Sequence, residues 1–485
     1  MKIIKTQRDM DDIVCKKVDE LQAQYSSKKT PLRINFRKFV RSKLSIKRSD
    51  VFTHNIHSYP GRLFPYIPIF FLSNTRYCPP RGKVLDPFCG SGTVLLESIV
   101  NPFFKRDVYG IEINPLGRLI SKVKTTPIDP NRLNRKIKTV LNLISEASKI
   151  NNPKRSIPDF KNINIWYSEP AKNGLGLVKA CIEKLRNDDC KDFLWLCFSK
   201  LARSVSNADP NIPPPVLLRI NKYKDSYRYG ALKKRIERNE NPNVALLFSD
   251  IVHANADRIK QLWSIDEIKD MNVKSSIIGC DARKIRKNNC LIKGALTNGV
   301  GKKINNSISL IITSPPYLAA QKYVRSTKLE LLWLGLTSET ELHDLQKRTI
   351  GTESISLRTI REEIGIEAID SLLHKIEKYS KERMLIAYEY FKNMKQTFNE
   401  CNQVLKDDGY MVLVVGNNKI GNMTVNTAKL LTDLAQQSKF DVVYILRDEI
   451  KDRGMITKRH DTGGLIKDEF VVVLRKKKGN PNGAF

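Results

Sequence analysis

The chain has 485 residues, 41% of them hydrophobic and 28% charged, which excludes a mainly disordered, collagen-like or disulfide-stapled polypeptide. Its 84 Lys and Arg against 51 Asp and Glu leave a net charge of +33, which calls for a polyanionic partner, either nucleic acid or an anionic membrane face. No apolar run approaches the ~20 residues of a membrane-spanning helix. The polar opening Met1-Lys-Ile-Ile-Lys5 lacks the apolar stretch of a signal peptide. Nucleic acid is therefore the expected partner, with no membrane, and the cytoplasm the expected location. Nine cysteines, an odd number without a C-x-x-C pair, fit a reducing compartment, and six scattered histidines offer no clustered metal ligands.

In chain order, residues 1–50 read as a basic N-terminal arm, since 28–48 carry nine Lys and Arg and no acid. Lys83–Asp86 is a short apolar strand that stops at the Gly-rich turn Pro87–Gly92 and leads into a helix from Thr93. Val108–Ile113 is a second strand, completing a first core part over 51–129. The stretch 130–272 does not read as one crossover. It contains Pro213-Pro214-Pro215 and then a basic run interleaved with tyrosines, including Lys222, Lys224 and Arg228, and is expected to be an inserted domain. Strands at Ser276–Asp281 and Ile308–Thr313 give a second core part over 273–334. A helical region follows at 335–400, and closing strands at Tyr410–Val415, Val442–Leu446 and Phe470–Leu474 lie within 401–478, before a frayed tail at 479–485. Strands alternating with helices predict an α/β fold with a parallel sheet covered on both faces, its last strands an antiparallel edge pair.

Two segments carry chemistry. In Asp86-Pro-Phe-Cys-Gly-Ser-Gly-Thr93, Gly90 and Gly92 permit a tight strand-to-helix turn and close approach of a ligand, and the helix start offers free N–H groups. Glu112, 20 residues after Gly92 at the end of the next strand, is placed to accept hydrogen bonds from ribose hydroxyls. The third glycine of a dinucleotide fingerprint and the lysine spacing of a P-loop are both missing. The second segment is Thr313-Ser-Pro-Pro-Tyr317, directly after an apolar strand. Its two prolines fix the backbone carbonyls, Ser314 brings a hydroxyl and Tyr317 a flat ring to the ligand-binding edge of the sheet.

Together the two segments resemble the amino-group DNA methyltransferases, which methylate exocyclic nitrogens with S-adenosylmethionine. Phe88, Gly90 and Gly92 are similar to that family's F-x-G-x-G motif, and Ser314, Pro315, Pro316 and Tyr317 to its catalytic motif in the form found in cytosine-N4 enzymes. His57–Pro65, with Tyr59 and Pro60, resembles the segment that closes around the methionine moiety, and Asp281 the acid that contacts the adenine amino group. Lys328–Trp333 and Asp407–Val415 resemble later motifs. The resemblance implies a Rossmann-like methyltransferase sheet with an inserted domain between the second and third strands. It also implies S-adenosylmethionine held by Tyr59, Pro60, Asp86, Phe88, Gly90, Gly92, Thr93, Glu112 and Asp281, and catalysis by Ser314–Tyr317 without a metal. The expected substrate is double-stranded DNA, contacted through Lys222, Lys224 and Arg228, with a restriction endonuclease acting on the same site as a further partner.

In that reading the Ser314 oxygen and the Pro315 carbonyl accept hydrogen bonds from the amino group and oppose delocalisation of its lone pair, while Tyr317 stacks on the flipped base. Cys89 is not read as a nucleophile. The alternatives are an adenine-N6 enzyme on the same scaffold, an RNA guanine-N2 methyltransferase, and a non-catalytic nucleic-acid-binding protein of the same fold.

Overall fold

Apolar, largely β-branched runs form one eight-stranded sheet, and the amphipathic stretches between them cover both its faces. The structure is a computed structural model describing residues 6–47, 51–287, 304–318, 323–355, 361–420, 423–449 and 468–478. The tail at 479–485 lies outside the described residues. The strands are β1 (Leu32–Ile34), β2 (Lys83–Asp86), β3 (Val108–Ile111), β4 (Ser275–Gly279), β5 (Ile308–Thr313), β6 (Leu405–Gly416), β7 (Asn418–Ile420), β8 (Met423–Val425), β9 (Phe440–Glu449) and β10 (Asp468–Lys476). β7 and β8 form a small hairpin, and the others lie in the order β1-β9-β10-β6-β5-β2-β3-β4.

From β2 the chain moves outward to β3 and β4, then returns to the other side of β2 with β5 and continues to β6, all in parallel. This reversal between β2 and β5 opens a crevice at the carboxyl ends of the two strands, where ligands of such sheets bind. β10 runs antiparallel to both β6 and β9, slotting between them. The last strands therefore do pair antiparallel, but they are not the edge, because β1 adds to β9 in parallel.

The alternation along β6 divides the core. Met411, Leu413 and Val415 face a layer containing the helix Lys381–Val404, while Val412 and Val414 face a layer built on the N-terminal helices. The second layer includes the segment read as an arm. Helix α1 (Gln7–Lys28) buries Met10, Val14, Val18 and Leu21, and α2 (Phe36–Lys43) buries Phe36 and Val40, beside α3 (Tyr66–Leu72) and α4 (Thr93–Val100). The charge count conceals this, because Phe36 and Val40 lie one turn apart on one face of α2 while Arg37, Lys38 and Arg41 occupy another.

Between β3 and β4 the chain forms α5 (Pro115–Thr125) and then a set of helices, chiefly Pro130–Ser148, Glu169–Glu183, Asp189–Ser204, Tyr229–Glu240 and Val244–Trp263. Apart from Tyr229–Glu240, their apolar faces share one core with α5 and with the helix Lys328–Leu334 that follows β5. Trp333 of that helix is fully buried, edge-on to Tyr167 at 5.5 Å and Phe198 at 6.1 Å. The insertion is thereby packed against the part of the chain that follows β5. Among the described residues no helix is long and apolar enough to cross a membrane. Among the described residues seven cysteines are free thiols and Cys280 is disulfide-bonded.

Candidate active site

A cavity at the β2/β5 reversal is walled by the ends of four parallel strands. Pro87, Phe88 and Gly90 follow β2, Glu112 and Asn114 follow β3, Cys280 and Asp281 follow β4, and Ser314 and Pro316 follow β5. Tyr59 and Gly61 close it from the N-terminal side, and Tyr323, Arg348 and Thr349 from the far side. Of the residues singled out in the sequence, Tyr59, Phe88, Gly90, Glu112, Asp281, Ser314 and Pro316 line this one space. Pro60, Asp86, Gly92, Thr93, Pro315 and Tyr317 are not among its lining residues. Lys222, Lys224 and Arg228 lie elsewhere, in the insertion.

The glycine turn is required by its geometry. Gly90 and Gly92 adopt φ of +52° and +74°, a left-handed conformation that other residues reach only at a cost. A side chain at Gly92 would also stand 2.9 Å from the hydroxyl of Ser121 on α5, the same hydroxyl that donates to the Gly90 carbonyl at 2.8 Å. The turn aims the Gly90 N–H at Glu112 Oε2 (2.9 Å), while the Asn114 N–H donates to Oε1 (2.8 Å). Two backbone donors thus orient a half-buried carboxylate and leave it lone pairs for a ligand. Burial pushes the Glu112 carboxyl up, and those two donors with the Arg118 guanidinium pull it back. Gly117 completes the cradle: a Cβ there would meet Glu112 Cγ at 2.7 Å and the Tyr59 hydroxyl at 3.1 Å.

Asp86 has a different place from the one expected. Its Oδ1 accepts the Thr313 hydroxyl at 2.7 Å and the Phe88 N–H at 3.1 Å, so it ties the glycine turn to the end of β5. Burial pushes its carboxyl up to about 7. Asp281 lines the cavity, but Arg283 holds its carboxylate through Nε (2.8 Å) and Nη2 (2.9 Å). Cys89 is buried and its thiol is raised well above the ordinary range, chiefly by desolvation, which leaves it inert as a nucleophile. Among the described residues no group of three or more His, Cys, Asp or Glu side chains is placed to hold a metal ion.

Beyond β5, Pro315 is buried and Ser314 half-buried facing the cavity. The Tyr317 hydroxyl donates to Glu469 Oε1, at the start of β10, at 3.5 Å, and the neighbouring Ser314 side chain favours the ionised form of that hydroxyl. Glu469, Asn114, Gly117 and Arg348 were not singled out in the sequence. Glu469 lies 152 residues from Tyr317, and only the sheet order brings them together. Asn114 and Gly117 flank the start of α5, where an Asn-Pro helix start after a strand-end acid is the one local signal.

The chain's similarities follow the same lines. Residues 308–482 match the family model described as DNA methylase, for the N6 and N4 amino-methyltransferases. The Type II methyltransferase M.MvaI of Kocuria varians is 27% identical over 449 residues, 87% of this chain and 91% of that protein. The Type II methyltransferase M.MjaII of Methanocaldococcus jannaschii is 33% identical over 106 residues, 22% of this chain and 19% of that protein. Among solved structures, a Thermus thermophilus protein complexed with S-adenosyl-L-methionine matches 43% of this chain and 57% of its own at 16% identity and a TM-score of 0.20. The fold assignment rests on the strand order itself.

Proposed function

We propose, for a chain that belongs to the amino-group DNA methyltransferases, that it transfers a methyl group from S-adenosylmethionine to the exocyclic N4 of cytosine at specific sites in double-stranded DNA, as the modifying partner of a restriction endonuclease. The observation carrying this reading is that Ser314, a hydroxyl where adenine-specific relatives more often bring Asp or Asn, faces the same cavity as the ribose-binding candidate Glu112.

The residues present fit the methyl donor. The sulfonium supplies an already activated methyl group, so this chain has to bind, align and exclude water. Glu112, held by the Gly90 and Asn114 N–H groups, is suited to the ribose hydroxyls. Tyr59 closes over the glycine turn, and Asp281 stands at the end of the third parallel strand for the adenine amino group. Ser314 and the Pro315 carbonyl accept from the target amino group and stabilise charge developing on nitrogen. Tyr317 supports the flipped base.

DNA would lie across the carboxyl edge of the sheet. Thr313 is level with Leu413, Leu413 with Val472 and Val472 with Ile445, while Leu446 pairs with Leu32, so β1 ends on the same edge as β5. α2 starts there, and its Arg37, Lys38 and Arg41, with Lys47, line a concave basic surface. Four strand spacings separate β1 from β5, about 19 Å at the usual ~4.8 Å each. The insertion offers a second surface, with Lys222 and Lys224 exposed and the Arg228 guanidinium lying 5.3 Å from the centre of the Tyr227 ring, itself 86% exposed. Target recognition is assigned to this insertion, residues 130–272.

Expression in a bacterial host free of DNA methylation, followed by modification-aware sequencing, tests the reading. N4-methylcytosine at a recurring sequence is the expected product. N6-methyladenine as the sole new base would overturn the cytosine assignment, and no new base would overturn the activity.

A further inference from the structure

The reaction proposed above leaves one proton to be disposed of. As the bond from the base nitrogen to the methyl carbon forms, the carbon–sulfur bond breaks with its electron pair remaining on sulfur, and the methylated amine must release a proton. Ser314 is a poor base at neutral pH, since a hydroxyl gains little by accepting a proton it cannot pass on. The motif itself brings no carboxylate.

The fold brings one from β10. Glu469 is paired with Gly416 of β6, three residues beyond Leu413, the partner of Thr313, and so is level with the Pro-Pro turn. Its carboxyl accepts the Tyr317 hydroxyl at 3.5 Å, and the Ser314 side chain, three residues before Tyr317, favours the ionised form of that hydroxyl. The direction of the chain follows from donor chemistry. An ionised carboxylate only accepts, so Tyr317 donates to Glu469; the Tyr317 oxygen is then left to accept the Ser314 proton. Ser314 in turn keeps its lone pairs for an N–H in the cavity.

We infer that Ser314, Tyr317 and Glu469 form a proton relay that carries the amine proton from the base to Glu469. Glu469 acts through Tyr317 and never touches the base, so it is a positioning residue in this scheme. The inference rests on the proposed amino-methyl transfer. Burial pushes the Glu469 carboxyl above its ordinary range, which strengthens it as a proton acceptor. Among the described residues, the groups facing this chain are few. Tyr317 comes from the catalytic segment and Tyr323 from the adjoining turn of helix. Asp448 of β9 stands directly opposite Glu469, and Gly416 on the β6 side brings no charge. Arg447 and Asp468, one residue along in each strand, point to the other face and pair with each other at 2.6 Å.

The test is single-turnover methyl transfer to duplex DNA from pH 5.5 to 9 with Glu469→Gln, Glu469→Asp and Tyr317→Phe, with S-adenosylmethionine binding measured on each as a check of folding. In the wild type the rate should rise with pH as Glu469 ionises and then level off. Glu469→Gln and Tyr317→Phe should each lower the plateau by about 10²-fold or more, the range for loss of a general base. Both should also abolish the rise, with donor affinity unchanged, and Glu469→Asp should restore part of the rate. Glu469→Gln with a wild-type plateau and pH profile would overturn the relay alone. A loss of rate with the pH limb intact would do the same, reducing Glu469 to a structural support. A wild type that methylates no DNA under any condition would instead remove the activity on which the relay depends.

Discussion

At the scale of single residues, the proposed roles separate binding from chemistry. Ser314 is held by a proline-locked backbone and reaches the cavity by one hydroxyl, whereas Glu112 is oriented by two backbone N–H groups that belong to the glycine turn and the start of α5. Ser314→Ala should therefore cut single-turnover methyl transfer by roughly 10²-fold, as expected for losing one group that bonds the transition state, with donor affinity nearly unchanged. Glu112→Ala should weaken donor binding first, read as a raised dissociation constant in calorimetry. Equal effects of both substitutions on binding would contradict this division. Asp86 offers a second residue-scale prediction, on stability. Its folded pKa of about 7 exceeds the unfolded value of 3.8, so between those values the folded protein binds more protons than the unfolded chain. Stability from this group is thus present at low pH and lost as pH rises through that window, at up to about 1.4 kcal/mol per pH unit. His57, lowered to about 4 by burial, acts in the opposite direction up to its ordinary value of 6.5. The difference between wild type and Asp86→Asn in denaturant titrations isolates the Asp86 contribution: the advantage of the wild type should shrink as pH rises from 4 to 7. A pH-independent difference would mean that Asp86 is not held as a buried acid.

At the scale of elements, legibility in the sequence followed locality. The turn from β2 into α4, the strand-end acid Glu112 and the Pro-Pro turn after β5 all announce themselves within a few residues, because each depends on backbone conformation or strand termination. α1, β1 and α2 did not, since a count of cations hides an apolar face with helical spacing, and a three-residue strand such as Leu32–Ile34 carries too short a pattern to see. Glu469 was invisible for a different reason. Its meeting with Tyr317 is set by β10 slotting between β6 and β9, a pairing with no local signal. The N-terminal segment gives the element-scale prediction. Phe36 is fully buried, edge-on to Phe70 at 5.3 Å and 6.2 Å from Phe71. Phe36→Ala should cost about 3–5 kcal/mol, the usual range for emptying such a site, in equilibrium unfolding. A solvated arm would lose nothing measurable by the same change.

At the scale of the whole molecule, the net charge of +33 has to be resolved into surfaces that meet phosphate and surfaces that do not. The segment 335–400 is a poor candidate for meeting phosphate. Its helix Glu339–Arg348 opens with Glu339 and Glu341, and Glu367 and Asp370 open the helix Glu367–Glu377. The cations of the insertion and of α2 are far apart in sequence, and only α2 is tied by strand register to the edge that carries Ser314. Two triple substitutions tell them apart. Replacing Lys222, Lys224 and Arg228 by Ala should weaken duplex binding and flatten its logarithmic salt dependence by about 0.9 for each phosphate no longer neutralised. It should also relax sequence preference if the insertion reads bases, because its grip on the backbone holds the base-reading groups in register. Replacing Arg37, Lys38 and Arg41 by Ala should flatten the slope in the same way while leaving the methylated sequence unchanged, as expected of cations that meet the backbone alone. A full wild-type slope in the first variant, with the methylated sequence instead following an exchange of residues 335–400 for a relative's segment, would move recognition out of the insertion. A full slope in the second would mean that the duplex does not reach as far along the sheet edge as β1.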